Sequence, residues 1–196
     1  MECIYCGGKT YLLGSGQRKC KECKRKFSPR RIEKRQKLLQ ALYEGKSALE
    51  TSKALGVSYE SVKRHYFEFR RKMALFMDAD FENKTAITAS DEYLYLPKKT
   101  KDLTKAINIL TFNYDHKIYN ILMPPLYFSD EKELRRFLRT ARIQTGDDFN
   151  QIREFWTFFE DRIARYKGVS KENFIYYLKE AEFFYNFGIN YTILLP

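Results

Sequence analysis

Apolar residues recur along the first part of the chain with the period of amphipathic helices. From Ile32 to Tyr43 the side chains of Leu38, Leu39 and Leu42 fall on one side, and Glu44-Gly45-Lys46 breaks the run. Ser47-Ala48-Leu49-Glu50 reads as a capping box, in which the serine hydroxyl accepts from a free backbone N–H and the glutamate reaches back to the cap. A second, short helix is therefore predicted from Ala48 to Leu55. Gly56 then supplies a sharp turn, Val57 an apolar plug and Ser58 another N-cap. Along the third helix Val62, Tyr66, Phe69 and Met73 follow at offsets of 0, 4, 7 and 11, one continuous stripe.

Beyond Met77 the pattern changes. Asp78 to Ser90 is acidic and small, with a linker placed at 78–84, and Ala86 to Leu96 is rich in β-formers up to Pro97. Ala106 to Tyr114 and Lys117 to Met123 flank a turn at Asp115-His116, so the three segments predict an antiparallel meander. Ser129 caps a predicted helix to Arg142, with Leu134, Phe137, Leu138 and Ala141 on one side. The other side carries Lys132, Arg135, Arg136, Arg139 and Arg142, either a solvated face or a row that follows a DNA backbone. Asp148 to Tyr166 and a long helix capped by Ser170 close the chain, with stripes of Ile152, Phe155, Trp156, Phe159 and Ile163, then Phe174, Tyr177, Leu178, Ala181, Phe184 and Tyr185. The fold class is α+β and multidomain: a small module over 1–30, a helical one over 31–77, and an α+β domain over 85–196.

With 44% hydrophobic and 16% aromatic residues the chain can bury real cores, which excludes wholesale disorder. No run reaches the ~18 apolar residues of a spanning helix, and no signal-peptide pattern opens the chain, so a cytoplasmic, nucleoid-associated protein is expected. Its net charge of +11 is unevenly spread. Residues 1–77 hold 19 Lys and Arg against 7 Asp and Glu, while residues 78–196 hold 17 against 18. A basic module for a polyanion joined to a near-neutral globular part is the reading that asymmetry favours.

All four cysteines lie in that basic part, as Cys3-x2-Cys6-x13-Cys20-x2-Cys23. Two close pairs separated by a spacer suit a tetrahedral Zn2+ site, each pair bending the chain into a knuckle and Gly7-Gly8 easing the first. Four thiolates leave no position open for water, which makes the ion structural; two disulfides are the alternative, disfavoured in a reducing compartment. Lys9 to Lys19 suits a hairpin turning at Gly14-Ser15-Gly16.

Helix, glycine turn and helix behind a metal ribbon is helix-turn-helix grammar, and the last helix would enter a DNA major groove with its first turns. Ser58, Tyr59, Ser61, Lys63 and Arg64 are then nearest the bases, with Lys63 or Arg64 the natural partner of a guanine edge. Arg70 and Arg71 lie further along, toward phosphates, and Arg18, Lys19, Lys24, Arg25 and Lys26 supply positive charge from the ribbon. The partner is double-stranded DNA, because an A-form RNA groove is too narrow for a recognition helix. His65 has no second metal ligand near it and reads as a buried or groove-facing residue.

Several segments together carry a resemblance: CIYCGG and KCKECKRKFS, ALGVSYESVKRHYFEFR, SDEYLYLP, and IREFWTFFEDRIARYKGVSKENFIYYLKEAEFFYN. The chain resembles bacterial insertion-sequence transposases that join a zinc ribbon, a helix-turn-helix and a ribonuclease-H-like DDE domain. The resemblance implies DNA strand cleavage and transfer by three carboxylates holding two Mg2+ or Mn2+ ions, one activating the attacking oxygen and one stabilising the leaving oxygen. Two-ended DNA transactions also imply a homodimer. Asp91 matches the first catalytic aspartate, but the glutamate position two before the Phe-Trp pair is Arg153, with Glu154 turned about 100° around the helix. The alternative grouping is Asp91, Asp147 and Glu154, which requires the helix to begin by Asp147. An arginine where Mg2+ needs an anion favours a domain that binds without cutting; an active DDE transposase is the alternative reading.

Overall fold

The structure is a computed structural model that describes residues 1–96, 106–124 and 147–195. Among them are two three-stranded antiparallel sheets and six helices, and the chain divides into two compact units. Residues 1–73 with 187–196 form the first; residues 74–186 form the second.

The first unit opens with a small sheet of β1 (Thr10–Leu12), β2 (Arg18–Cys20) and β3 (Lys26–Phe27), whose core of Cys3, Cys20 and Phe27 is closed by Ile32. Three helices follow: α1 (Pro29–Tyr43), α2 (Ala48–Leu55) and α3 (Tyr59–Glu82). Ser28 caps α1, with Pro29 at its first turn where a missing N–H costs nothing. The capping box of α2 is complete, and Gly56 stops that helix in the left-handed region at φ 61°. Leu38, Leu39 and Leu42 of α1 and Val62, Tyr66, Phe69 and Met73 of α3 are all buried, the two stripes read from the sequence. Thr51 brings α2 in through a 2.7 Å hydrogen bond between its hydroxyl and that of Tyr66. The last described residues return to this unit through α6 (Tyr191–Leu194): Leu194 is buried, Tyr191 donates to Gln40, and the Lys72 ammonium donates to the Leu194 carbonyl.

Helix α3 belongs to both units, through Met73 to the first and from Ala74 to the second. It continues to Glu82, so Asp78 to Glu82 are helical where their composition suggested a linker. These acids have partners far along the chain. Asp80 accepts from Tyr114 and Lys117, Asp78 accepts from Tyr119, and Phe81 stacks on the Tyr119 ring at 3.9 Å.

The second sheet runs β4 (Ile87–Tyr95), β5 (Ile107–Tyr114), β6 (Lys117–Leu122), antiparallel throughout. Asp115 and His116 turn β5 into β6 with φ of 45° and 61°, the left-handed pair a tight hairpin needs. Asp115 also accepts from the backbone N–H of Thr85 and Ala86, holding the entry to β4. Helix α4 (Asp147–Ile163) lays Ile152, Phe155, Trp156 and Phe159 on the sheet, with Phe174, Leu178 and Ala181 of α5 (Phe174–Phe187) completing the core. The predicted helix from Ser129 to Arg142, with its row of cations, lies outside the described residues.

β6 would present an open strand edge, and α5 closes it with side chains. Asn186 both donates to the Ile118 carbonyl and accepts from its N–H, and Glu182 accepts from the N–H of Asn120. Glu182 is fully buried, and burial pushes its carboxyl up to about 7 despite opposing help from Lys179 and Asn120. The folded unit therefore holds this proton more tightly than the unfolded chain. The resulting stability is complete below the ordinary carboxyl range and is lost as pH rises through about 7. The loss is on the order of 3 kcal/mol. Melts of the second unit, followed by emission of Trp156, the chain's one tryptophan, should fall from pH 5 to pH 8, and Glu182→Gln should flatten the profile.

Candidate metal centre and nucleic-acid interface

The two Cys-x-x-Cys pairs form knuckles of matching geometry. Cys3 N–H donates to the Gly8 carbonyl at 2.9 Å and Cys20 N–H to the Arg25 carbonyl at 3.0 Å, each spanning five residues. The residue after each second cysteine is left-handed: Gly7 at φ 74° and Lys24 at φ 61°. Glycine adopts that conformation freely, whereas lysine does so at a cost of roughly 1 kcal/mol. The knuckles bring the sulfurs together. Sγ of Cys3 lies 3.6 Å from that of Cys23, Sγ of Cys6 lies 3.5 Å from that of Cys20, and all four lie within 4.8 Å of one another.

A tetrahedral ion with sulfur ligands at about 2.3 Å sets its sulfurs about 3.8 Å apart, so this donor set can hold a metal ion such as zinc. Four thiols so close cannot all ionise alone. The Gly8 backbone favours the Cys6 thiolate, yet sharing protons with Cys20, Cys23 and Cys3 pushes that thiol up to about 12. Cys20 is buried, which opposes ionisation, but the N–H groups of Cys23 and Glu22 hold it down to about 7. A dication would relieve this conflict by stabilising every thiolate at once. Among the described residues, these cysteines are the one group of three or more ligand side chains in mutual reach.

The ribbon cations divide into occupied and open. Arg18 is tied into the hairpin, donating from Nε to Thr10 Oγ1 at 2.8 Å and from Nη2 to its carbonyl. Lys19 is half-buried opposite Tyr11, Arg25 lies over the Tyr5 ring at 5.0 Å, and Lys24 reaches the Lys21 carbonyl. Lys26, Arg30 and Arg31 are exposed, and no acidic residue occupies the first turn of α1.

On α3, Tyr59, Glu60, Lys63, Arg64, Phe67 and Arg71 are exposed and Ser61 is half-buried; Ser58 precedes the helix, its carbonyl accepting from Val62. Arg70, expected with Arg71 toward phosphates, differs from it in burial: it is 7% exposed, with its guanidinium over the Tyr66 ring at 5.8 Å. The helical phase explains this, since position 70 falls between 66 and 73 on the buried stripe. Phe67, absent from the sequence reading of the interface, is 42% exposed because it lies one step off that stripe. His65 is buried, its Nδ1–H donating to Glu68 Oε2 3.3 Å away, and Arg35 donates to the same oxygen at 3.2 Å. Burial holds the His65 pKa below the ordinary histidine range, with Arg35 and Arg64 adding to the effect against Glu68.

In the second unit, Asp91 shares the helix-facing side of β4 with Ala89, Tyr93 and Tyr95, and its Oδ1 accepts from the N–H of Glu92. Helix α4 does begin at Asp147, whose side chain lies outside the described residues. The flank of α4 toward β4 is marked by Trp156, stacked on Tyr93 at 3.7 Å, and by Glu160, which accepts from the Tyr93 hydroxyl. Arg153 stands seven residues before Glu160, nearly in phase with it, and so belongs to that flank. Glu154 is turned the other way, toward Tyr185 of α5, whose hydroxyl lies 3.5 Å from it. α5 lines β6, two strands from β4 and therefore about 10 Å across the sheet. Among the described residues, no group of three or more ligand side chains in mutual reach includes Asp91 or Glu154.

No protein family, curated protein or solved structure matches this chain. No helix among the described residues is long and apolar enough to cross a membrane.

Proposed function

We propose that this chain is a sequence-specific double-stranded DNA-binding protein of insertion-sequence transposase type, folded around a structural zinc ion at Cys3, Cys6, Cys20 and Cys23. Its second unit keeps a strand-and-helix layer of ribonuclease-H kind without the chemistry. One observation carries the reading: a continuous face of α3, in a three-helix unit behind a four-thiol ribbon, exposes Lys63, Arg64 and Arg71 together with Tyr59 and Phe67. Zinc is favoured because four sulfurs in a closed tetrahedron suit an ion with no open coordination position. Lys26, Arg30, Arg31 and Arg71 are the exposed cations best suited to phosphates, and neutralising phosphates releases counterions from the duplex.

Strand transfer is left out of the proposal. A pair of Mg2+ or Mn2+ ions about 4 Å apart needs carboxylates converging from both sides. Here the position on the flank toward Asp91 is held by the cation of Arg153 and the neighbouring carboxylate of Glu154 faces α5. Dimerisation, expected from two-ended DNA transactions, remains part of the reading as a consequence of binding paired half-sites.

Selection of bound duplexes from a random library by the zinc-loaded full chain tests the function. One sequence should be enriched, and its affinity should fall with a log–log salt slope of roughly −4 or steeper. Enrichment of no sequence, with binding independent of salt, would refute the reading.

A further inference from the structure

The ribbon sheet has two unlike faces. Cys20 and Phe27 are buried on one of them, in the core that Ile32 closes. The register sets the other face residue by residue. Tyr11 lies opposite Lys19 and Lys19 opposite Lys26, one row across all three strands. One pleat back along β1, Lys9 lies beside Lys21, whose N–H donates to the Lys9 carbonyl at 2.9 Å. Cross-strand partners share a face, so one aromatic ring stands among four lysines. Tyr11 is 40% exposed, and Lys9, Lys21 and Lys26 are exposed with it. Among the described residues no ring or cation lies over the Tyr11 ring, and no hydrogen bond or ion pair engages the four ammonium groups. Two acidic residues are close in sequence. Glu2 bridges to Lys9 at the margin of this face, whereas the Glu22 carboxyl lies where a side chain at Gly8 would point, on the opposite side from Lys9. The face therefore carries four positive charges against one.

We infer that this face binds single-stranded DNA, with Tyr11 stacked on an unpaired base and Lys9, Lys19, Lys21 and Lys26 at the phosphates around it. The ring decides between strand and duplex. A duplex hides the planes of its bases in the stack and offers a flat sheet only phosphates, whereas an unpaired base presents its plane to an exposed ring. Two residues along a strand span about 6.7 Å and neighbouring strands lie about 4.8 Å apart, so the ammonium groups surround the ring at the reach of the phosphates that flank a stacked base. DNA is the source because a single residue, Ser28, joins β3 to α1, so the strand this face meets is that of the DNA held by the helices. The inference goes beyond the duplex reading and rests on it only for that choice of DNA over RNA. Stacking is indifferent to base identity, so this contact adds affinity without sequence preference.

Fluorescence anisotropy of a short labelled oligothymidylate with the zinc-loaded full chain tests this, beside a blunt duplex. Tyr11→Ala should weaken oligothymidylate binding about tenfold and leave duplex binding unchanged, while Tyr11→Phe, which keeps the ring, should bind as the wild type does. Lys21→Ala should lower the log–log salt slope for the oligonucleotide by about 0.7, the share of one phosphate contact on a single strand. The variants are compared at equal metal content, so that a lost fold is not read as a lost contact. Independently of any substitution, oligothymidylate carrying 5-iodouracil should cross-link to Tyr11 of the wild type on irradiation, as located by mass spectrometry. Affinity unaltered by Tyr11→Ala, with cross-links elsewhere, would overturn the inference and leave the duplex reading standing. Equal losses of strand and duplex binding in Tyr11→Ala would do the same. Oligouridylate bound as tightly as oligothymidylate, with the same dependence on Tyr11, would overturn the assignment to DNA. Tyr11-dependent strand binding by a chain that selects no duplex would uphold this face and overturn the duplex reading.

Discussion

Replacing Cys20 by alanine should cost the protein its metal and the order of residues 1–27 in one step. Cys20 is wholly buried at the centre of the ribbon core, within hydrogen-bond reach of Cys6, and its Sγ accepts from the Glu22 N–H. The sheet around it offers few apolar contacts: Cys3, Phe27 and Ile32, with Ile4 and Tyr5 packed beside them. On the zinc proposal, a module that small would draw its fold from metal binding of about 10 kcal/mol or more. Three cysteines leave an incomplete tetrahedron, and the loss of the ion removes most of that energy. Helices α1 to α3 should persist, because Leu38, Leu39, Leu42, Val62, Tyr66, Phe69 and Met73 form their own buried stripes. Elemental analysis should give one metal per wild-type chain and none per variant. Amide exchange should rise over residues 1–27 while α3 stays protected. A variant with unchanged exchange in the ribbon would mean that the sheet folds without metal.

The second large effect is expected in the other unit, at the buried pair of Arg162 and Glu180. Glu180 is fully buried, and its Oε1 accepts from Nε and Nη2 of Arg162, both at 2.8 Å, and from the Tyr166 hydroxyl at 2.6 Å. Arg162 also lies over the Phe184 ring at 4.6 Å. Glu180→Ala leaves the guanidinium in a low-dielectric site without the carboxylate that neutralises it, which costs about 3–5 kcal/mol. For a domain of ordinary stability that is a third or more of the total. Replacing both members by apolar residues should recover much of the loss, since a buried pair gains little over good apolar packing. Urea unfolding followed by Trp156 emission measures both variants, because this tryptophan belongs to the core between α4 and the sheet. A midpoint for Glu180→Ala within error of the wild type would contradict the role given to the pair.

The parts of this molecule that were readable from sequence are those specified by neighbours. Cys-x-x-Cys spacing, the Ser47–Glu50 box, Gly56 and the Asp115-His116 turn each fix a local geometry from a few adjacent residues. Lys24 shows the limit of that rule, since nothing in a lysine announces the left-handed conformation that its knuckle imposes. Asp78, Asp80 and Glu82 looked like linker composition. Two of them are anchors whose partners, Tyr114, Lys117 and Tyr119, lie on strands far along the chain, a relation no local pattern carries. The return of Tyr191 and Leu194 to the first helices is invisible for the same reason.

On α3, the exposure of individual side chains depends on helical phase, which composition does not carry. Arg70, Arg71 and Lys72 are alike in composition but differ by 100° steps around α3. That step buries Arg70 beside Tyr66, leaves Arg71 exposed and directs Lys72 to the Leu194 carbonyl. The same phase places Phe67 outside, where a rule that aromatics are core would put it inside. For the carboxylates, the sequence shows an arginine at 153 with glutamate beside it. The structure adds which flank each occupies, through the contacts of Trp156 and Glu160 with Tyr93 and of Glu154 with Tyr185.

The central claim is a protein that grips a duplex and leaves it intact. Its most direct test incubates zinc-loaded protein with labelled DNA spanning the boundaries of its own gene, in Mg2+ or Mn2+. Band shift and strand nicking are read from the same samples, with Asp91→Asn alongside. The account predicts a salt-sensitive shift with intact strands for both proteins. Nicking by the wild type that disappears in Asp91→Asn would contradict it and make the chain a working transposase.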